Sequence, residues 1–219
     1  MPGHSSVEIS NQQICDGLSP FAIIPNDTQL TLIRKYILLL LKWNRTLNLT
    51  SITAPIEIVT RHFGESIYAA KLLPVENCRL ADVGTGAGFP GLALKIAHPA
   101  VHVTLIESNK KKCAFLSEVV SELALTDVEI RSERFEHLRP ETACANIISS
   151  RAVGEFKQLL RWSASALVHR GHLVLWVGGE DATRIARDLA WSWQPAVRLP
   201  DSQRRFILIG RPIGVKLHK

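Results

Sequence analysis

Apolar residues first fall into step at Leu30, Ile33, Ile37 and Leu41, the three-and-four spacing of one helix face. Arg34, Lys35, Lys42 and Arg45 lie mostly off that stripe, so the predicted helix is amphipathic and basic. Asp27 or Thr28 is the expected cap. The stretch before it, residues 1–25, intersperses Gly, Ser, Asn and Pro and reads as loosely ordered. A second helix is predicted over 55–72, with Ile58, Val59, Phe63, Ile67 and Ala70 inward and Pro74 as its stop.

After Pro74 the rhythm changes to strand, helix, strand. Short apolar strands are predicted at 79–83, 101–106, 128–131, 145–149 and 172–177. Helices fit between them at 91–97, 109–125 and 156–168, and another follows at 182–190. Such alternation predicts parallel strands joined by helical crossovers. The last two strands, 196–199 and 205–209, are separated by too few residues for a crossover helix, so they should pair antiparallel. The expected fold is α/β, a mostly parallel seven-stranded sheet closed by an antiparallel hairpin. That is the Rossmann-like layout of class I methyltransferases. The expected division is a tail and helical extension over 1–75, packed on a cofactor-binding domain over 76–219.

Composition narrows the classes. The 219 residues are 46% hydrophobic, enough for a sizeable core. The formal net charge of +6 favours a polyanionic partner such as nucleic acid without requiring one. The four cysteines, Cys15, Cys78, Cys113 and Cys144, are scattered and form no CxxC pair, so neither a zinc site nor a disulfide scaffold is expected. Residues 1–10 are polar and hold no apolar signal core, and the longest apolar run is far too short to span a bilayer. A reduced, cytoplasmic protein without membrane or metal partners is the expectation.

The densest chemistry is Asp82-Val83-Gly84-Thr85-Gly86-Ala87-Gly88-Phe89-Pro90-Gly91. It follows the first strand of the sheet and opens the next helix, where open α/β sheets bind ligands. Glycines let the backbone turn sharply and approach a ligand. Part of the loop matches GxGxxG, a weak signal for a dinucleotide. Asp82 points elsewhere. A carboxylate near a pyrophosphate would cost roughly 1 kcal/mol or more. The same charge suits S-adenosyl-L-methionine, whose ammonium and sulfonium are cationic. The alternative is that Asp82 only caps the loop or helix by bonding backbone N–H groups. Glu107 ends the second strand, 23 residues after Gly84, where an acid can accept both ribose hydroxyls of either cofactor class. Phe135 and Glu136 follow the third strand, at a position where adenine is bordered in this fold, although Phe135 could simply be core. The fourth strand runs into Ser150-Arg151-Ala152-Val153. It carries neither an Asn/Asp-Pro-Pro-aromatic motif nor a thiol at its outgoing end. Arg151 there is suited to a phosphate, a guanine edge or a salt bridge.

Four motifs occur in one order: Trp43-Asn44-Arg45-Thr46-Leu47-Asn48-Leu49-Thr50, Arg61-His62-Phe63-Gly64-Glu65-Ser66, the loop from Asp82 to Gly91, and Ser150-Arg151-Ala152. Together they resemble the bacterial small-subunit ribosomal RNA guanine-N7 methyltransferase family, formerly called glucose-inhibited division protein B. The resemblance implies cofactor contacts at Gly84, Phe89, Phe135, Glu136 and Arg151, and a target guanine in the 530 loop of 16S rRNA. Gly86 and Gly88 share the loop and Asp82 and Glu107 flank it, so they complete the expected cofactor set. Two departures stand out. Glu65 occupies a place where the family commonly has Asp, and Val177-Gly178 replaces a usual Lys-Gly pair.

Guanine N7 has a lone pair and no proton to lose, so no protein nucleophile or base is expected. The enzyme's task would be positioning, worth up to roughly 7–11 kcal/mol. Arg61, His62, Ser66, Arg151, Lys110 and Lys111 are the expected RNA contacts, with Arg34, Lys35, Lys42, Arg45, Lys112, Arg204 and Arg205 as further phosphate candidates. Lys110, Lys111 and Lys112 open a helix and oppose its dipole, which hints at an interaction use. The expected partner is 16S rRNA or a small-subunit assembly intermediate, met by a monomer. Two rival readings share these residues: a non-catalytic RNA-binding or ribosome-assembly protein, and an NAD-dependent oxidoreductase.

Overall fold

The computed structural model describes residues 9–151 and 154–214. Ala152 of the fourth motif, the adjoining Val153 and residues 1–8 of the expected tail lie outside them. Over residues 9–25 the expectation of loose order is overturned. Asn11–Leu18 is a helix, begun by Ser10, whose hydroxyl accepts from Gln13 N–H while Gln13 returns a bond to Ser10 N–H. That reciprocal pair satisfies two otherwise orphaned donors. The basic helix runs Asp27–Leu47, and its cap is Asn26, one residue before the two expected caps, again paired with a Gln three residues on. Residues 55–71 are helical throughout but change pitch. A wide π stretch, Ile58–Gly64, is followed by an α turn, Glu65–Tyr68, and a 3-10 turn, Ala69–Lys71.

The sheet has eight strands among the described residues, not seven: β1 Arg79–Val83, β2 His102–Ile106, β3 Val128–Arg131, β4 Ala145–Ser150, β5 Leu167–Gly178, β6 Trp191–Trp193, β7 Val197–Arg198 and β8 Arg205–Pro212. The order is β3-β2-β1-β4-β5-β8-β6, with β7 also on β8. β1 to β5 are mutually parallel, and β8 runs antiparallel to β5, β6 and β7. β6 is the strand that sequence periodicity misses. Three residues are too few to establish a period, and their partner is distant in sequence.

Alternation along each strand feeds two cores. Leu80, Val174 and Trp176 face one core with Ile33, Tyr36, Ile37, Leu40 and Phe63 of the N-terminal helices. Ala81, Val83, Leu173 and Leu175 face the other, with Leu159 and Trp162. The chain leaves β1 towards β2 and β3, then returns to add β4 and β5 on the other side. The crevice at the carboxyl ends of β1 and β4 is therefore the switch point where ligands enter such sheets.

Candidate active site

The glycine loop is pinned at both ends. Gly84 N–H and Thr85 N–H donate to Ile106 O at the end of β2, at 2.9 and 3.3 Å. Gly86 and Gly88 lie at φ +60° and +88°, conformations that other residues enter at a cost. Their surroundings differ. A Cβ on Gly86 would meet nothing nearer than Gly84 O at 3.9 Å, so the backbone there faces open space. A Cβ on Gly88 would lie 2.2 Å from Tyr36 Oη and 2.8 Å from a Leu92 methyl. Tyr36 is fully buried on the Asp27–Leu47 helix and donates to Ala87 O at 2.5 Å. The helical extension thus supports the loop from behind.

Asp82 makes the capping bonds that the sequence offered as one of its roles, and its carboxylate is wholly buried. Oδ2 accepts from Thr85 Oγ1 at 2.5 Å and Gly91 N–H at 2.9 Å; Oδ1 accepts from Ser149 Oγ at 2.9 Å. Burial raises its pKa, and these bonds oppose the rise. Asp82 therefore joins β1, the loop and β4, and shapes the site through the loop.

Glu107 lies across the turn. Its Oε2 accepts from Gly86 N–H at 3.0 Å and its Oε1 from Asn109 N–H at 2.8 Å. Each oxygen keeps a further lone pair, so the pair can accept from both hydroxyls of a ribose diol. Asn109 caps the Lys110–Glu122 helix, which leaves Lys110 and Lys111 exposed in its first turn. Phe135 is buried and packs edge-on against Trp162, at 5.7 Å between ring centres, so its ring belongs to the second core. Glu136 is exposed in the adjoining 3-10 turn, Phe135–His137. Phe89 is also interior. It stacks between Tyr36, at 5.2 Å, and His62, at 4.7 Å.

The carboxyl end of β4 is organised by a residue the sequence reading noted only as a departure. Glu65 is 1% exposed, yet three arginines converge on it. Arg205 Nε lies 2.8 Å from Oε1, Arg151 3.3 Å from Oε2, and Arg61 Nε 3.5 Å from Oε1. Arg151 also donates to Ser66 Oγ and Arg61 O, both at 3.1 Å. Burial lowers the Arg151 pKa and the Glu65 charge opposes this. Arg151 is therefore a salt-bridged group tied to the helical extension, with 18% of its side chain exposed. The expected RNA contact at Ser66 is corrected: the residue is fully buried and its hydroxyl bonds to His62 O. Arg34 Nε donates to Ile9 O at 3.0 Å and one terminal amino group to Asn11 Oδ1, which ties this guanidinium to the N-terminal helix. Lys42 reaches Glu118 at 3.4 Å, whereas Lys35, Arg45, Lys112 and Arg204 make no ion pair among the described residues. Val177 is buried within β5, opposite Phe206.

His62 is held in one state. Thr50 Oγ1 accepts from Ile52 N–H and shares a hydrogen bond of 2.8 Å with His62 Nε2, whose direction follows the tautomer of the ring. The other ring nitrogen, Nδ1, is buried and has no partner among the described residues. Burial, then Arg151 and Arg61, push its pKa down to about 3. The folded state thus holds this proton less well than the unfolded chain, whose ordinary value is 6.5. The stability His62 contributes is present above pH 6.5 and is lost as pH falls towards 3. Urea melts of wild type should lose up to about 1.4 kcal/mol per pH unit from this group in that window, and His62→Phe should remove that increment while keeping the stack on Phe89. Equal acid slopes for both proteins would show that His62 titrates normally.

Solved structures share this architecture. A SAM dependent methyltransferase from Aquifex aeolicus superposes with TM-score 0.59 at 16% identity, covering 71% of this chain and 92% of that one. A ribosomal protein L11 methylase from Lactobacillus delbrueckii subsp. bulgaricus gives 0.55 at 14% identity, covering 70% and 79%. Sheet order and glycine turn together define a protein of the class I methyltransferase fold. Among curated proteins, ribosomal RNA small subunit methyltransferase G of Dichelobacter nodosus is 44% identical over 130 residues, 59% of this chain and 61% of that protein. The Sorangium cellulosum relative of the same name is 39% identical over 160 residues, 71% and 66%. Both matches span under two thirds of the relative's own length. The sequence profile of GidB, rRNA small subunit methyltransferase G, matches residues 29–194, and the chain belongs to that family.

Proposed function

We propose that this chain methylates N7 of a guanine in the 530 loop of 16S rRNA, on naked rRNA or a small-subunit intermediate, acting as a cytoplasmic monomer. Residues 76–219 would carry the cofactor and 1–75 the supporting extension. The observation that carries the reading is the pairing of an unobstructed Gly86 backbone with Glu107 across it. A nucleoside fits there: a glycine turn without a Cβ in the way, and two carboxylate oxygens with lone pairs to spare. Gly84, Gly86 and Glu107 would hold S-adenosyl-L-methionine, with the backbone beside Phe135 and Glu136 at the adenine. When bound, that cofactor supplies a sulfonium methyl group open to in-line displacement.

The residues of this chain then have positioning work to do. N7 gives its lone pair and holds no proton, so no side chain needs to act as a base. The purine gains positive charge as the bond forms. A cationic histidine beside it would oppose that charge, and His62 is held neutral. Arg151 is held in place by Glu65, Ser66 Oγ and Arg61 O, so it can orient a polar edge with little side-chain freedom left to lose. Phe89 and Tyr36 keep the loop rigid, which limits the reorganisation left for the reacting state.

The test is transfer of labelled methyl to undermethylated small subunits, followed by mapping of the modified nucleotide. A single N7-methylguanine in the 530 loop is expected, with RNA affinity falling steeply between low and physiological salt. S-adenosylhomocysteine should raise the melting temperature and NAD should not. Label on an amino group or ribose hydroxyl overturns the N7 reading. Stabilisation by NAD alone favours the oxidoreductase, and RNA binding with no transfer favours the assembly protein.

A further inference from the structure

Beside the Glu65 cluster lies a cleft of about 370 Å³, lined by Arg151, Arg205, Phe156, Trp176 and the Val177-Gly178 end of β5. Its charge is unbalanced. Arg61, Arg151 and Arg205 share one carboxylate, Glu65, and the other acid at the rim, Asp181, is bonded to Arg184 at 2.6 Å. Arg205 is the cation with donors to spare. Its Nε is fixed on Glu65, while its two terminal amino groups make no hydrogen bond to the described residues. About a third of the side chain, 35%, is exposed. A guanidinium tied down by one nitrogen keeps a planar edge for a phosphate, and less side-chain entropy is left to lose. Phe156 is half-buried opposite, and the Arg184 guanidinium lies over its ring at 5.7 Å. A planar cation already rests on this ring, and a flat base can lie there in exchange for that contact.

We propose that this cleft is a subsite for one nucleotide bordering the methylated guanine, with Arg205 binding its phosphate and Phe156 lying against its base. The inference rests on the RNA reading above and adds a second point of attachment, outside the cofactor loop. Phosphate contact fixes register and carries no sequence information; a base on an aromatic face is sequence-tolerant. The subsite therefore orients the strand and leaves choice of the target to the site around Arg151.

The experiment uses the full chain and undermethylated small-subunit particles, with filter binding measured across a salt series. Arg205→Gln should weaken binding roughly tenfold and lower the salt slope by about 1, since one phosphate contact is lost. Arg205→Lys should keep the slope. Phe156→Ala should weaken binding about fivefold or more with the slope unchanged, and Phe156→Tyr should restore it. Affinity for S-adenosylhomocysteine, read by calorimetry, should stay at the wild-type value in all four variants, which separates a lost subsite from a damaged fold. Wild-type affinity and slope in both Arg205→Gln and Phe156→Ala overturn the proposal, as does a wild-type chain that binds no RNA. A chain that binds with these signatures yet transfers no methyl keeps the subsite and fails the methyltransferase reading.

Discussion

Gly88→Ala is expected to destabilise the fold by about 2–5 kcal/mol, combining left-handed strain with overpacking. Gly86→Ala, two residues earlier in the same motif, should cost only about 1–2 kcal/mol, because strain is its sole term. The difference lies behind the backbone. The Gly88 methyl would collide with Tyr36 Oη, and Tyr36 cannot retreat: its hydroxyl holds Ala87 O and its ring is stacked on Phe89. The Gly86 methyl enters open space. That space is where a cofactor would pass, so Gly86→Ala should lose S-adenosylhomocysteine binding while still melting cooperatively. Urea melts and calorimetry on the two variants check both halves. A Gly86→Ala protein with wild-type ligand affinity would show that the ligand does not cross this turn.

That contrast also marks how far sequence reading reaches. The loop was legible because glycine spacing after a strand is a local signal, and the five parallel strands were legible because period two and period 3.6 are local too. The expected closing hairpin is there as β7 and β8, but β8 is also inserted between β5 and β6. What failed was partnership over distance. Asp82 carries a charge whose use depends on Ser149, 67 residues away, and Arg151 a charge answered by Glu65, 86 residues away. A charged residue reads the same in sequence whether it is free for a ligand or already bonded. A serine is as ambiguous: Ser66, expected at RNA, is buried and its hydroxyl bonds to His62 O. Tyr36 was hidden in the opposite way: its position on the inner side of a helix predicts burial but not which loop it would bond. Only the Ser10-Gln13 and Asn26-Gln29 caps were readable and missed, each being a polar pair at the spacing of a capping box.

Glu65→Ala is expected to destabilise the protein by about 3–5 kcal/mol, the range for removing one partner of a buried ionic group. The argument concerns what remains. Without the carboxylate, Arg61, Arg151 and Arg205 would face one another around a buried position, with water reaching Arg61 and Arg205 from their exposed sides and Arg151 least. Arg151 would keep Ser66 Oγ and Arg61 O, so its direction would be partly preserved while its charge would go unanswered. Glu65→Gln separates charge from shape: it fills the same volume and should still lose most of the stability. Adding Arg205→Gln to Glu65→Gln removes one of the repelling cations, so the double variant should be more stable than Glu65→Gln alone, a coupling of about 0.5–3 kcal/mol for residues in contact. Simple additivity of the two substitutions in denaturant melts would mean that Arg205 and Glu65 do not interact in solution, and that the arginines are held by packing instead of by this carboxylate.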